Sequence, residues 1–250
     1  MSDTLIQQQN EHRLLVRTPS RPILMYHQIC PQPPRSDVLR SLSVDPRAFQ
    51  RQMRVLKALG YRGVSVTELQ QLLSQARCEK VFAITFDDGF HNVFEYALPV
   101  LDELGFKATC YFASGKLGGS NDWDRRLATA KAPLMDRGAL LEWLAHGNEV
   151  GAHTVDHVAL PDVSMQTAWE QIARSKAQLE EIVERPVVSF CYPYGAFDAN
   201  VRRLVVEAGF DSATTTKRGR ASTRVDPFLL PRIAVPGGRD IMHFLWRFFL

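Results

Sequence analysis

The chain has no apolar run approaching the roughly 18 residues that a membrane-spanning helix requires, so no spanning segment is expected. Cysteine is scarce: Cys30, Cys78, Cys110 and Cys191 are the four, and none forms a CxxC pair. That pattern demands no disulfide framework. Cys110 and Cys191 sit in apolar, strand-like stretches and read as inert buried thiols. The first twenty residues, MSDTLIQQQNEHRLLVRTPS, lack an apolar core of signal-peptide length, which implies a cytoplasmic, at most membrane-peripheral, protein. The same residues carry little sign of order, so 1–20 are expected to be mobile. The charge excess is small, +3, and the 30 Lys and Arg are scattered rather than clustered, which gives no footprint for nucleic acid. There is no internal repeat and no low-complexity linker, so residues 21–250 are expected to form a single domain.

What the sequence does have is alternation. PILMYHQI (22–29), KVFAITF (80–86), KATCYFAS (107–114), NEVGAHT (148–154), VVSFCYPYG (187–195) and SATTT (212–216) read as strands or strand-like runs. Between them lie helical patterns: 45–60, with Asp45 as N-cap and Pro46 at the first helical position; 64–75, a short strand and then a helix; 92–105, interrupted near Pro99; 137–147; 164–184, with Ser164 as N-cap; and 200–210. Repeated strand–helix units at this length point to an α/β fold with a parallel sheet or barrel. In such folds the chemistry collects at the C-terminal ends of the strands. The closing IMHFLWRFFL is expected to pack on the core, with a partner or membrane-surface contact as the alternative.

That rule organises the polar residues. Asp87 and Asp88 follow one apolar strand, and two adjacent carboxylates resist ionising together unless something compensates. His153 and His157, in HTVDH, follow another strand, and in a helix or tight turn both imidazoles face one side. His27 ends the first strand, and Tyr192 and Tyr194 end the VVSF strand. Two imidazoles and a carboxylate make a three-ligand set that leaves positions open for water on a divalent cation. One aspartate could then bind the metal while its neighbour accepts a proton. Taken singly, each feature has a plainer explanation: a solvated turn or helix cap for the aspartates, a strand-capping residue for His27, a packed side chain for Trp123.

Together the motifs resemble those of the polysaccharide deacetylase family, the family 4 carbohydrate esterases. TFDDGF matches the family's first motif, HTVDH preceded by GNEVGA its second, and FCYPYGAFD resembles its third. The similarity runs from about Pro22 to about Pro236. It implies a distorted (β/α)7-type barrel and a hydrolase that removes N-acetyl groups from an acetamido-sugar saccharide, a water on the metal attacking the acetyl carbonyl. Carried over by position, the resemblance implies that Asp88, His153 and His157 hold the metal, zinc first with cobalt or nickel as alternatives. Asp87 becomes the general base, and a backbone N–H near Tyr194 meets the oxyanion. A related amidase acting on a non-sugar C–N bond, or a saccharide-binding relative without activity, are the alternatives.

Two departures from the family pattern stand out. The arginine that often precedes the third motif's proline–tyrosine element is replaced by Cys191, and Arg232, in LLPRIAVP, is the candidate to supply the guanidinium instead. The late-strand histidine is also missing, but His27 follows the first strand, as in the branch that deacetylates poly-β-1,6-N-acetylglucosamine, where first and last strands look permuted. First and last strands are neighbours in a closed barrel, so His27 is the expected general acid. Tyr192 and Trp123 (in SNDWDRR) are the expected sugar-stacking aromatics.

Overall fold

The structure, a computed structural model, describes residues 20–34, 38–77, 79–123, 131–237 and 240–250. The expectation of a mobile segment over 1–20 falls almost wholly outside these residues, as does Cys78. Ten strands are present among the described residues: β1 (Ile23–Tyr26), β2 (Gln28–Ile29), β3 (Ser43–Val44), β4 (Arg62–Val64), β5 (Val81–Phe86), β6 (Thr109–Phe112), β7 (Glu149–Ala152), β8 (Ser189–Cys191), β9 (Ser212–Arg218) and β10 (Leu230–Ala234). The helices are α1 (Pro46–Ala58), α2 (Val66–Ser74), α3 (His91–Tyr96), α4 (Leu98–Leu104), α5 (Arg137–Ala145), α6 (Met165–Val183), α7 (Ala199–Glu207) and α8 (Ile241–Phe249).

Seven strands pair in the order β1-β10-β9-β8-β7-β6-β5, all parallel, and β1 pairs again with β5, closing a (β/α)7-type barrel. Short β4 runs along the first half of β5, with Gly63 opposite Phe82. A Cβ on Gly63 would lie 2.7 Å from the Ile84 side chain and 2.9 Å from Phe106, so glycine is what fits there.

Strand parity sorts each wall into two faces. On β5, Phe82, Ile84 and Phe86 join the larger apolar core under the helices, while Val81 and Ala83 join a second cluster with Ile23, Val64 and Leu230. The next residues of that second parity are Thr85 and then Asp87. The barrel interior therefore starts apolar at the strands' N-terminal ends and turns polar toward their C-terminal ends.

Local sequence explains the helix ends. Asp45 accepts from the backbone N–H groups of Arg47 and Ala48, with Pro46 next in line, and Ser164 accepts from Thr167 N. The expected helix over 92–105 is two helices that meet at Ala97, because Pro99 cannot donate into a continuous ladder. The expected strand over 22–29 breaks at His27 into β1 and β2. The C-terminal run is half core only: Phe244 and Phe248 are buried in α8, whereas Met242 and Trp246 are exposed. Among the described residues no helix is long and apolar enough to cross a membrane.

Candidate active site

The polar residues gather at the C-terminal rim of the barrel. After β5 the chain turns through Asp88 at φ 74° and Gly89 at φ 74°, and after β7 through Thr154 at φ 65° and His157 at φ 57°. Tyr194 adds φ 59° beyond β8. Four of the six described non-glycine residues with positive φ thus lie on this rim. Such backbone is costly and persists where surrounding structure enforces it, often at functional sites. The Thr154 hydroxyl accepts from His157 N at 3.0 Å, which shapes HTVDH as a tight turn rather than a helix and brings both imidazoles to one side.

Asp87 and Asp88 are both buried but face different partners. Asp88 Oδ1 lies 3.4 Å from His153 Nε2 and 3.2 Å from His157 Nε2. Those contacts lack hydrogen-bond geometry, and Oδ1 is buried without a donor. The three ligand atoms lie within 4.8 Å of one another. His153 Nδ1 meets the Cys191 carbonyl at 2.7 Å, so with a proton on Nδ1 the Nε2 lone pair points at Asp88. Two imidazole nitrogens and one carboxylate oxygen, converging on a point where buried Oδ1 has no donor, fit a divalent cation. Without one, burial alone would raise the Asp88 pKa, but His157 and His153 outweigh it and hold the carboxyl well below the usual range. Burial would likewise push His153 down, yet Cys191, Asp88 and Asp87 around it hold it well above its ordinary value.

Asp87 faces a guanidinium. Arg232, fully buried on β10, donates to Asp87 Oδ1 at 2.6 Å and Oδ2 at 2.7 Å, a bidentate fork. The same side chain donates to Thr85 Oγ1 at 3.0 Å and to the Thr215 carbonyl at 2.9 Å, which fixes its approach. Burial would raise the Asp87 pKa, but Arg232 outweighs it and holds it low. His27 Nε2 stands 3.8 Å from Asp87 Oδ2 at the open side of the rim.

Cys191, read from the sequence as an inert thiol, is buried but not idle: its Sγ lies 3.2 Å from Arg232 Nη2 and 3.7 Å from Asp87 Oδ2. The sequence signal was its place in the third motif together with its parity on β8. Asp87, His153 and Cys191 also form a ligand-like trio. The guanidinium seated against two of its three members disfavours a cation there.

The aromatics divide. Trp123 stacks on His157, with centroids 4.5 Å apart and planes at 28°, and Tyr194 meets the same imidazole edge-on at 4.6 Å while 54% exposed. Tyr192 is a correction to the expected sugar-stacking pair. It is fully buried, packs against Phe190 and Phe197, and donates its hydroxyl to the Phe228 carbonyl at 3.1 Å. Alternation along β8 explains this: Cys191 faces the interior, so Phe190 and Tyr192 face the helices.

The comparisons with known proteins agree with this geometry. The family model described as polysaccharide deacetylase matches residues 74–213. The chain belongs to the polysaccharide deacetylase family, and it is a hydrolase. Among curated proteins, YxkH of Bacillus subtilis (strain 168) is 27% identical over 219 residues, covering 87% of this chain and 72% of that protein. The poly-beta-1,6-N-acetyl-D-glucosamine N-deacetylase of Staphylococcus epidermidis is 22% identical over 224 residues, covering 85% and 78%. Among solved structures, the Streptococcus pyogenes deacetylase PplD superposes with a TM-score of 0.81 at 24% identity over 92% of this chain and 99% of its own, a likeness of fold. The polysaccharide deacetylase BC0361 of Bacillus cereus gives 0.78 at 26% identity over 92% and 69%. The family match stops short of β1 and β10, the strands that deliver His27 and Arg232.

Proposed function

We propose that the protein is a metal-dependent deacetylase that removes the N-acetyl group from an N-acetylated glucosamine saccharide. One observation carries the reading: the Asp88, His153 and His157 ligand atoms converge beside an Asp87 that a buried arginine holds ionised, with His27 Nε2 3.8 Å from that carboxylate. Asp88, His153 and His157 would hold the cation, zinc first among the ions that suit two imidazoles and a carboxylate, with cobalt and nickel as alternatives. Bound there, a divalent ion lowers the pKa of water and polarises a carbonyl.

The remaining steps belong to the chain's own residues. Asp87, ionised and fixed by Arg232, accepts the proton of the attacking water at Oδ2, the oxygen nearer His27. Arg232 keeps the carboxylate from rotating and from taking up a proton out of turn. His27 donates a proton to the departing amine nitrogen, since a neutral amine leaves where an amide anion cannot. A main-chain N–H near Tyr194 is the candidate donor to the developing oxyanion. Trp123 and Tyr194, flanking His157, form the aromatic wall a pyranose ring would meet.

Saccharide specificity draws on the relatives. The Staphylococcus epidermidis protein is by name a poly-β-1,6-N-acetylglucosamine deacetylase, and the histidine after this chain's first strand resembles the pattern expected of such a branch. We therefore place β-1,6-linked N-acetylglucosamine ahead of the β-1,4 polymer, and take residues 21–250 as one catalytic unit. The test is acetate release from oligomers of both linkages, with added zinc or cobalt, with chelator, and with Asp87→Asn. Metal-dependent acetate, lost by at least about 100-fold in the variant, is expected from removal of a general base. Acetate production indifferent to chelator, or an active Asp87→Asn, would refute the mechanism. Turnover only of non-sugar amides would move the chain to an amidase role.

A further inference from the structure

The C-terminal helix α8 carries an exposed apolar stripe besides its buried face, with His243 and Arg247, four residues apart, making a separate polar strip. Its buried side presents Phe244 and Phe248, and its other side presents Met242, Trp246 and Phe249, 70%, 51% and 50% exposed, at the i, i+4, i+7 spacing of a single stripe. The stripe continues onto the barrel. Phe249 lies 6.1 Å from Tyr61, and Lys80 Nζ sits 5.8 Å over the Tyr61 ring and donates to the carbonyl of Leu59, itself 43% exposed.

Cations surround this patch. The Arg218 guanidinium lies 5.6 Å over the Trp246 ring, Arg220 Nη1 donates to the Phe248 carbonyl at 2.7 Å, Arg21 is bridged through its backbone to Ala221, and Arg247 is on the helix itself. Neither these four arginines nor Lys80 makes an ion pair with a carboxylate among the described residues.

We propose that this aromatic and basic patch docks the protein on an anionic lipid bilayer. Trp, Phe and Met side chains beside unneutralised arginines and lysine are the composition of an interfacial helix, whose affinity adds apolar burial to attraction for anionic headgroups. A second copy of the chain is the poorer occupant, because a two-fold contact through this patch would set the five cations against themselves. Phe248 packs 5.0 Å from Tyr61 and 5.5 Å from Phe82, which places the end of α8 at the N-terminal ends of β4 and β5. The start of the helix lies by Val235 and Pro236, beyond the C-terminal end of β10, so the stripe runs along the flank of the barrel. The inference is independent of which saccharide is cleaved.

The test is sedimentation of the full chain with vesicles of equal parts phosphatidylglycerol and phosphatidylcholine, and with phosphatidylcholine alone. Pelleting is expected with the mixed vesicles, weaker by about tenfold or more without anionic lipid or on raising salt from about 0.1 to 0.5 M. Tryptophan emission should shift to the blue on binding, and the shift should vanish in Trp246→Phe while pelleting persists. The double variant Trp246→Ser/Phe249→Ser should partition about tenfold or more weakly. If that variant unfolds, Lys80→Glu/Arg218→Glu, two exposed positions, should lose the preference for anionic lipid. Equal pelleting with both vesicles, no pelleting with either, or a concentration-dependent dimer abolished by the apolar variant would overturn the proposal, the last assigning the patch to a second copy.

Discussion

Arg232 is where a single side chain sets the electrostatics of the site. It is fully buried, forks onto Asp87 at 2.6 and 2.7 Å, and touches Cys191 Sγ at 3.2 Å. Breaking a buried pair by deleting one member leaves the other uncompensated, at a cost of about 3–5 kcal/mol. Arg232→Met should therefore destabilise the fold by that order in denaturant titration, while Arg232→Lys, which keeps the charge but not the fork, should cost less and lower kcat/KM by roughly 100-fold through a misplaced base. The pH dependence has a definite sign. Asp87 is depressed in the folded state, so its stabilisation is present above the unfolded value near 3.9 and is lost as pH falls through the lower folded value. In Arg232→Met burial is opposed only by the weaker pull of His27 and His153, the Asp87 pKa rises, and acid unfolding should begin at higher pH. Wild-type acid stability in that variant would show that Arg232 does not govern Asp87.

The turn after β8 shows how one element positions others. Tyr194 and Gly195 both have positive φ, at 59° and 68°, and a Cβ on Gly195 would fall 2.0 Å from Thr216 Oγ1 on β9. The turn can close only because residue 195 has no side chain, and it is this closure that sets Tyr194 against His157. Gly195→Ala adds left-handed strain and a clash, about 2–4 kcal/mol together. Calorimetry should find the transition roughly 5–15 °C lower, and an unchanged transition would mean that the turn is free to move. Element by element, much was legible in the sequence. The caps Asp45 and Ser164, the strand ending at Asp87 and the HTVDH turn are local signals, decided by residues close in the chain. Tyr192 was misjudged because its direction depends on strand parity, with Cys191 facing in and Tyr192 out. The reach of Arg232 to Asp87 depends on β10, β1 and β5 lying side by side, which no local pattern encodes. The break at His27 and the thiol contact of Cys191 are products of the same closure.

At the scale of the whole molecule, the three proposed ligands, Asp88, His153 and His157, sit on the loops after β5 and β7, strands separated in the barrel by β6. A cation there links parts of the ring that no backbone ladder joins directly. Anything that binds the folded chain alone stabilises it, by about 2.7 kcal/mol at a hundredfold excess over Kd. That corresponds to a rise in Tm of roughly 5–10 °C for a chain of this size, reversed by chelator. Protons compete for the same site, and the structure sets the direction. His153 is raised in the metal-free protein, so its charged form contributes stability that is present below the unfolded value near 6.5 and is lost as pH climbs through the higher folded value. The metal requires the neutral imidazole and displaces that proton. Between about pH 6.5 and pH 8.5, upward from the unfolded value, the metal-free protein should progressively lose part of the His153 contribution while metal affinity grows. The zinc-induced rise in Tm should accordingly be larger at the higher pH, and should vanish at both in His153→Ala/His157→Ala. Scanning calorimetry of chelator-treated and zinc-loaded protein at the two pH values measures this directly. A shift of equal size at both, or one that survives loss of the two histidines, would place the metal somewhere other than beside Asp88.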